Sequence, residues 1–144
     1  MKFKAYQNRL EDGKVVGELK DLTLTDLSEG EVIVKVYYSS INYKDALGAT
    51  GRGKIFRRLP IVGGIDLAGI VHASESKEFS EGDSVLATGC DIGEKFDGGY
   101  AEYARVKKES LVSLPQGLTL RESMILGTAG FTAALCIHRF EQNN

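Results

Sequence analysis

From Phe3 to Leu114 the chain is cut by turn signals into short apolar runs, none with the length of an ordinary helix. That segmentation restricts the fold more than any other feature. Glu11-Asp12-Gly13 separates Phe3–Gln7 from Lys14–Leu19 and reads as a hairpin turn. After the polar break Leu27–Glu31, Val32, Val34 and Val36 alternate with Ile33, Lys35 and Tyr37, a β-branched strand. Further strands are expected over Asp66–Ala73, Ser84–Ala87, Tyr100–Lys107 and Ser110–Leu114. Leu59-Pro60 marks a turn before Ile61, and the glycine-rich stretch Thr88–Gly99 reads as loop. Tyr43–Leu47 suits one helical turn with Asn42 at its N-cap. About six to eight short strands at this spacing call for a closed or nearly closed β-barrel.

The pattern changes after Gly117. Thr119-Leu120-Arg121-Glu122 is a capping box that opens a helical stretch to about Phe140. Met124, Ile125, Leu126, Phe131, Leu135 and Ile137 cover more than one face, so burial on several sides is expected. Gly127-Thr128-Ala129-Gly130 interrupts the stretch; each interior glycine costs about 1 kcal/mol against alanine, so a break is expected there. The chain thus divides at residue 118 into a β-rich part, 1–118, and a helical segment, 119–144.

Composition narrows the partners. With 18 basic and 20 acidic residues the formal charge is −2, which gives no electrostatic basis for binding nucleic acid or an anionic membrane. The basic run Lys54–Arg58 reads as a solvated loop that is also able to meet a phosphate. Cys90 and Cys136 form no disulfide framework, which fits a reducing compartment. No signal-peptide core follows Met1-Lys2-Phe3-Lys4, and no uninterrupted apolar run reaches the ~20 residues of a membrane span. A cytoplasmic protein without a membrane partner is the expectation.

The segments S-S-I-N-Y-K-D (Ser39–Asp45), L-P-I-V-G-G-I-D-L-A-G (Leu59–Gly69), E-G-D-S-V (Glu81–Val85), G-G-Y-A-E-Y (Gly98–Tyr103) and L-G-T-A-G-F-T-A-A-L (Leu126–Leu135) follow one another in this order. Together they resemble the N-terminal half of the medium-chain dehydrogenase/reductase superfamily, in its zinc-free quinone oxidoreductase branch and its acrylyl-CoA reductase group. The resemblance implies a mainly β fold with α: a GroES-like, partly open β-barrel over 1–118, then connecting helices leading toward a Rossmann domain. No glycine-rich dinucleotide fingerprint follows a strand within these residues, so that domain is not expected here.

The resemblance also implies an NADPH-dependent reductase that delivers hydride to the β-carbon of an activated alkene (an enoyl-CoA such as acrylyl-CoA, or an enone) or to a quinone. A homodimer is expected of the full-length protein. In zinc-dependent members the three ligands would fall near Asn42, Ile65 and Thr128, none of which replaces a thiolate or imidazole. Only Cys90 lies between Thr88 and Gly99, where a structural zinc needs four cysteines, so no metal is expected. Without a Lewis acid, charge developing on a substrate carbonyl oxygen needs hydrogen-bond donors, and the α-carbon needs an acid.

The expected catalytic residues are Asn42, through its amide, and Tyr43, through its phenol; Tyr43 and Thr128 are the expected cofactor contacts. Asp45 is expected to cap or orient its loop. Arg52 stands where some enoyl reductases of the superfamily carry a catalytic tyrosine. On its own, the chain is expected to bind NADPH poorly and to lack reductase activity. A non-enzymatic GroES-like binding or co-chaperonin module is the competing reading.

Overall fold

The structure is a computed structural model and describes residues 1–143. Its strands are β1 (Lys2–Glu11), β2 (Lys14–Thr23), β3 (Val32–Tyr38), β4 (Ile61–Val62), β5 (Asp66–Ser74), β6 (Ser84–Thr88), β7 (Tyr103–Val106) and β8 (Val112–Ser113). Two α-helices accompany them, α1 (Tyr43–Ala49) and α2 (Leu120–Gln142). β1 and β2 form a long antiparallel hairpin in register Glu11↔Lys14. Its turn residues Asp12 and Gly13 both have positive φ (50° and 75°), the backbone that a two-residue hairpin turn demands and that Asp-Gly tolerates.

The strands make two sheets, one ordered β2-β1-β4 and the other β7-β3-β5-β6-β8. An isolated bridge between Ala5 and Ala101 links them. Beside it, Tyr6 N–H donates to the Tyr100 carbonyl (2.8 Å) and Glu102 N–H to the Lys4 carbonyl (2.9 Å). β2 and β8 remain as unpaired edges, so the barrel is partly open and the closed alternative does not hold. The expected strand Tyr100–Lys107 pairs only over Tyr103–Val106, because residues 100–102 are used to join the two sheets. Ser110–Leu114 shortens to Val112–Ser113 because residues 108–110 coil into a 3-10 turn.

Alternation places one face of each strand inside. Val32 and Val34 of β3 pack with Leu67 and Val71 of β5 and Val85 of β6 in the main core. Phe3 and Ala5 of β1 gather Leu22, Leu27 and Val62 into a second core. Residues 61–69 are buried without a break, so β5 and its approach have both faces covered.

A buried carboxylate ties the loops over one end. Asp97 is 2% exposed. It accepts from Ser28 N–H (2.7 Å), Ser28 Oγ (3.0 Å) and Val62 N–H (2.7 Å), and pairs with Arg58 at 2.5 Å. The basic run is therefore only partly solvated: Arg58 also donates to the carbonyls of Lys95 and Pro60.

α2 begins as the capping box requires, with Glu122 N–H donating to Thr119 Oγ1 (3.2 Å) and Thr119 N–H to Glu122 Oε2 (2.8 Å). It breaks at Gly127, whose φ of 51° and ψ of −161° are not helical. The first arm docks on the barrel and buries Ser123 and Met124. Burial on several sides does not hold beyond it: residues 131–142 are all exposed, including Phe131, Leu135, Ile137 and Phe140. By length and composition α2 is also apolar enough to cross a membrane, which a count of uninterrupted apolar residues does not register. The kink and the docking of its first arm on protein favour a packing role for that apolarity.

Asp97→Asn is expected to lower stability by about 3 kcal/mol, because it removes the charge that pairs with Arg58 and replaces one carboxylate oxygen with an NH2 group that faces N–H donors. The midpoint of urea unfolding measures this.

Candidate active site

The site is built where β3 ends, α1 begins and β5 enters the barrel. Asn42 occupies the N-cap position of α1 with extended backbone, as expected. The reciprocal half of the cap comes from Asp45, whose carboxylate accepts Asn42 N–H at 2.9 Å. Its other oxygen accepts Ile65 N–H at 3.0 Å, so Asp45 fixes α1 to the residue that precedes β5. Lying in the first turn of α1, the Asp45 carboxylate is also favoured by the helix dipole.

The centre of the site is Asp66, the first residue of β5, with no exposed surface. Its Oδ2 accepts from Ser40 Oγ, from Asn42 Nδ2 (2.9 Å) and from Thr128 N–H (3.0 Å). Its Oδ1 accepts from Thr128 Oγ1 at 2.5 Å. The Asp66 main-chain carbonyl accepts from Ser39 Oγ at 2.6 Å. Two separate segments, the approach to α1 and the break in α2, therefore converge on one carboxylate from a third. A Cβ at Gly127 would lie 2.8 Å from Asp66 Oδ2 and 3.0 Å from Ser40 Oγ, and the backbone there has positive φ. Only glycine meets both conditions.

These contacts revise one expectation. The Asn42 amide nitrogen points inward, to Asp66 and, at longer range, to Ser40 Oγ (3.2 Å) and Asp45 (3.3 Å). Its hydrogens are committed to the protein, so Asn42 holds the wall and has no free N–H for a substrate oxygen. Thr128 joins Asn42 at Asp66. Tyr43 stays outside this cluster, 81% exposed, with no hydrogen-bond partner for its hydroxyl among the described residues. Arg52 is exposed and takes no part in the Asp66 cluster.

Asp66 itself is the residue that the sequence reading overlooked. The available signal was a lone carboxylate inside the apolar run Ile61–Gly69, where an ionised group requires dedicated donors.

Tyr100 closes the site from below, its hydroxyl donating to the Ser40 carbonyl at 3.0 Å. Burial, and then the nearby negative charges of Asp45 and Asp66, push this phenol well above the usual tyrosine range. An open cavity of about 350 Å³ lies beside it, lined by Tyr6, Ile41, Asp45, Ala46, Ala49 and Tyr100. A second, about 380 Å³ and largely apolar, separates β6 from α2 between Leu86, Thr88, Leu126 and Phe131.

The residues do not suit zinc. The three positions expected to hold it carry an amide, an alkyl chain and a hydroxyl, and the polar two are bonded to Asp66. Among the described residues no three His, Cys, Asp or Glu side chains converge. His72 packs edge-on against Tyr103 and His138 contacts Gln142, and neither bonds to the Asp66 cluster.

Residues 28–116 match the family model of the alcohol dehydrogenase GroES-like domain. The chain belongs to this family. Within it the chain is similar to the probable acrylyl-CoA reductase AcuI of Escherichia coli K12, with 52% identity over 131 residues, 91% of this chain and 40% of AcuI. In three dimensions it is similar to the yhdH oxidoreductase of Salmonella enterica, solved in complex with NADP. That match has a TM-score of 0.94 and 50% identity, covering 96% of this chain and 43% of the other. It is similar too to the Bacillus subtilis protein yhfP, solved with NAD bound, with a TM-score of 0.95 and 47% identity over 100% of this chain and 44% of the other. The chain thus spans about two fifths of the length of these relatives.

Because the Tyr100 pKa is raised by folding, the stability tied to this phenol is fully present below about pH 10, its ordinary value, and is lost as pH rises beyond it. Ultraviolet titration should show a tyrosine step above the usual range that disappears in Tyr100→Phe. Loss of stability at alkaline pH should be smaller in that variant.

Proposed function

We propose that this chain forms the metal-free catalytic wall of a reductase that uses NADPH to saturate an activated C=C bond or to reduce a quinone. Residues 1–118 act as the GroES-like catalytic domain and 119–144 as the helical connection to a nucleotide-binding domain. The observation that carries the reading is the Asp66 cluster: it fills the place of a metal centre with a saturated hydrogen-bond network, in a chain whose close relatives are named as reductases or solved with NADP. The binding-module alternative gives that cluster no role.

NADPH, when bound, supplies the hydride that reaches the β-carbon of an enoyl thioester or enone. The chain's own residues then have distinct tasks. Tyr43, exposed at the first position of α1, offers a free hydroxyl and an aromatic face to the cofactor, and is the site residue whose O–H is free to donate to a developing enolate oxygen. Asn42 fixes the height of Tyr43 by anchoring the start of α1 to Asp66. Thr128, at the α2 kink, would be a contact for the nicotinamide half of the cofactor. The apolar linings of the two cavities suit a short acyl chain or ring more than a charged group.

A chimaera tests this reading. The chain should replace the residues that it matches in yhfP and yield NADPH-dependent turnover of acrylyl-CoA, an enone or a quinone. A folded chimaera that binds NADPH and turns over none of the three overturns the proposal. Within an active chimaera, Tyr43→Ala should raise the KM for NADPH about tenfold or more. By calorimetry, the chain alone should bind NADPH more weakly than millimolar.

A further inference from the structure

Asp66 does more than anchor Asn42. Its carboxylate accepts the main-chain N–H of Thr128, the first residue after the Gly127 break. The first amides of a helix have no partner within the helix, and the N-terminus carries a partial positive charge. The arm that starts at Thr128 is therefore a helix whose N-terminal cap is not its own preceding side chain. The cap is a carboxylate from β5, 62 residues away in sequence. The same carboxylate takes the Thr128 hydroxyl and, on its other side, Ser40 Oγ and the Asn42 amide.

Little else fixes this arm. Thr128 and Gly130 are half-buried, and every residue from 131 to 142 is exposed. Phe131 faces β6 across an apolar cleft of about 380 Å³ rather than packing tightly on it. The break itself removes the continuous helical ladder that would otherwise transmit the direction of the first arm. Gly127 supplies the freedom, and the bonds to Asp66 supply the constraint.

We propose that Asp66 is the positioning residue of the site: an inter-segment cap that sets the direction of the distal arm of α2 and locks Thr128 against Asn42. Removing the cap frees the arm to swing about Gly127 and releases Thr128 from the carboxylate that also holds Asn42. The functional consequence rests on the reductase reading, whereas the geometry does not. A change in arm direction is measurable with no cofactor or substrate present, so the two ideas fail separately.

Two native thiols make the test direct. Cys90 lies on a loop of the barrel and Cys136 on the distal arm, and both are exposed. Nitroxide labels on the two report the arm's direction by pulsed dipolar spectroscopy on the unmodified sequence. The wild-type chain should give one narrow distance. Asp66→Asn and Thr128→Val should broaden it or split it, and Thr128→Ser, which keeps the hydroxyl, should restore it. A role in stability alone would lower the unfolding midpoint without moving the distance, so an unchanged narrow distribution in folded Asp66→Asn or Thr128→Val overturns the proposal. Should both variants fail to fold, amide exchange of the wild type decides. Thr128 N–H should exchange about tenfold or more slowly than the uncapped first-turn amides of α2, and equal rates overturn the proposal.

Discussion

The structure depends on a buried carboxylate that has no charged partner. Asp66 is fully buried, and an isolated charge in such a place costs several kcal/mol unless its lone pairs are satisfied. No lysine or arginine among the described residues pairs with it. Compensation comes from two hydroxyls, a side-chain amide and a main-chain N–H at a helix start. Each of these donors must be delivered by a segment held in one conformation. The carboxylate thereby dictates the path of Ser39–Asn42, the placement of α1 and the kink of α2. Packing alone would leave all three adjustable.

Two further buried carboxylates repeat the device around the same end of the barrel. Asp45 accepts Ile65 N–H and fastens α1 to the entry of β5. Asp97 accepts Val62 N–H and fastens the loop after β6 to β4 and to Ser28. Between Val62 and Asp66 the chain is therefore pinned at two points by acids from other segments, and at its end by the donors that Asp66 itself collects. A site made mostly of loops gains in this way the rigidity that strands would otherwise provide, while Tyr43 stays at the surface where a ligand can reach it.

Much of the fold was legible in the residues. The period-two pattern of β3 and the Asp-Gly turn of the first hairpin each rest on interactions within a few residues. So do the Thr119 capping box and the glycine break in α2. Local signals fail where neighbours distant in sequence compete. Residues 100–102 have strand-like character but are taken up by the junction between sheets. The apolar positions from Phe131 to Phe140 announce burial, yet burial needs an opposing surface that the described residues do not contain.

The site divides in the same manner. The sequence by itself determined that positions 42, 65 and 128 carry neither thiolate nor imidazole, because residue identity decides that point. Only the tertiary structure decided what each residue touches. It showed that the Asn42 amide is spent on Asp66, that Tyr43 is the group left free, and that a carboxylate from β5 caps a helix arm 62 residues downstream. The physical reason is that a hydrogen bond is specified by position in space, and residues 40, 42, 66 and 128 come within its reach only once the two sheets and α2 have packed together.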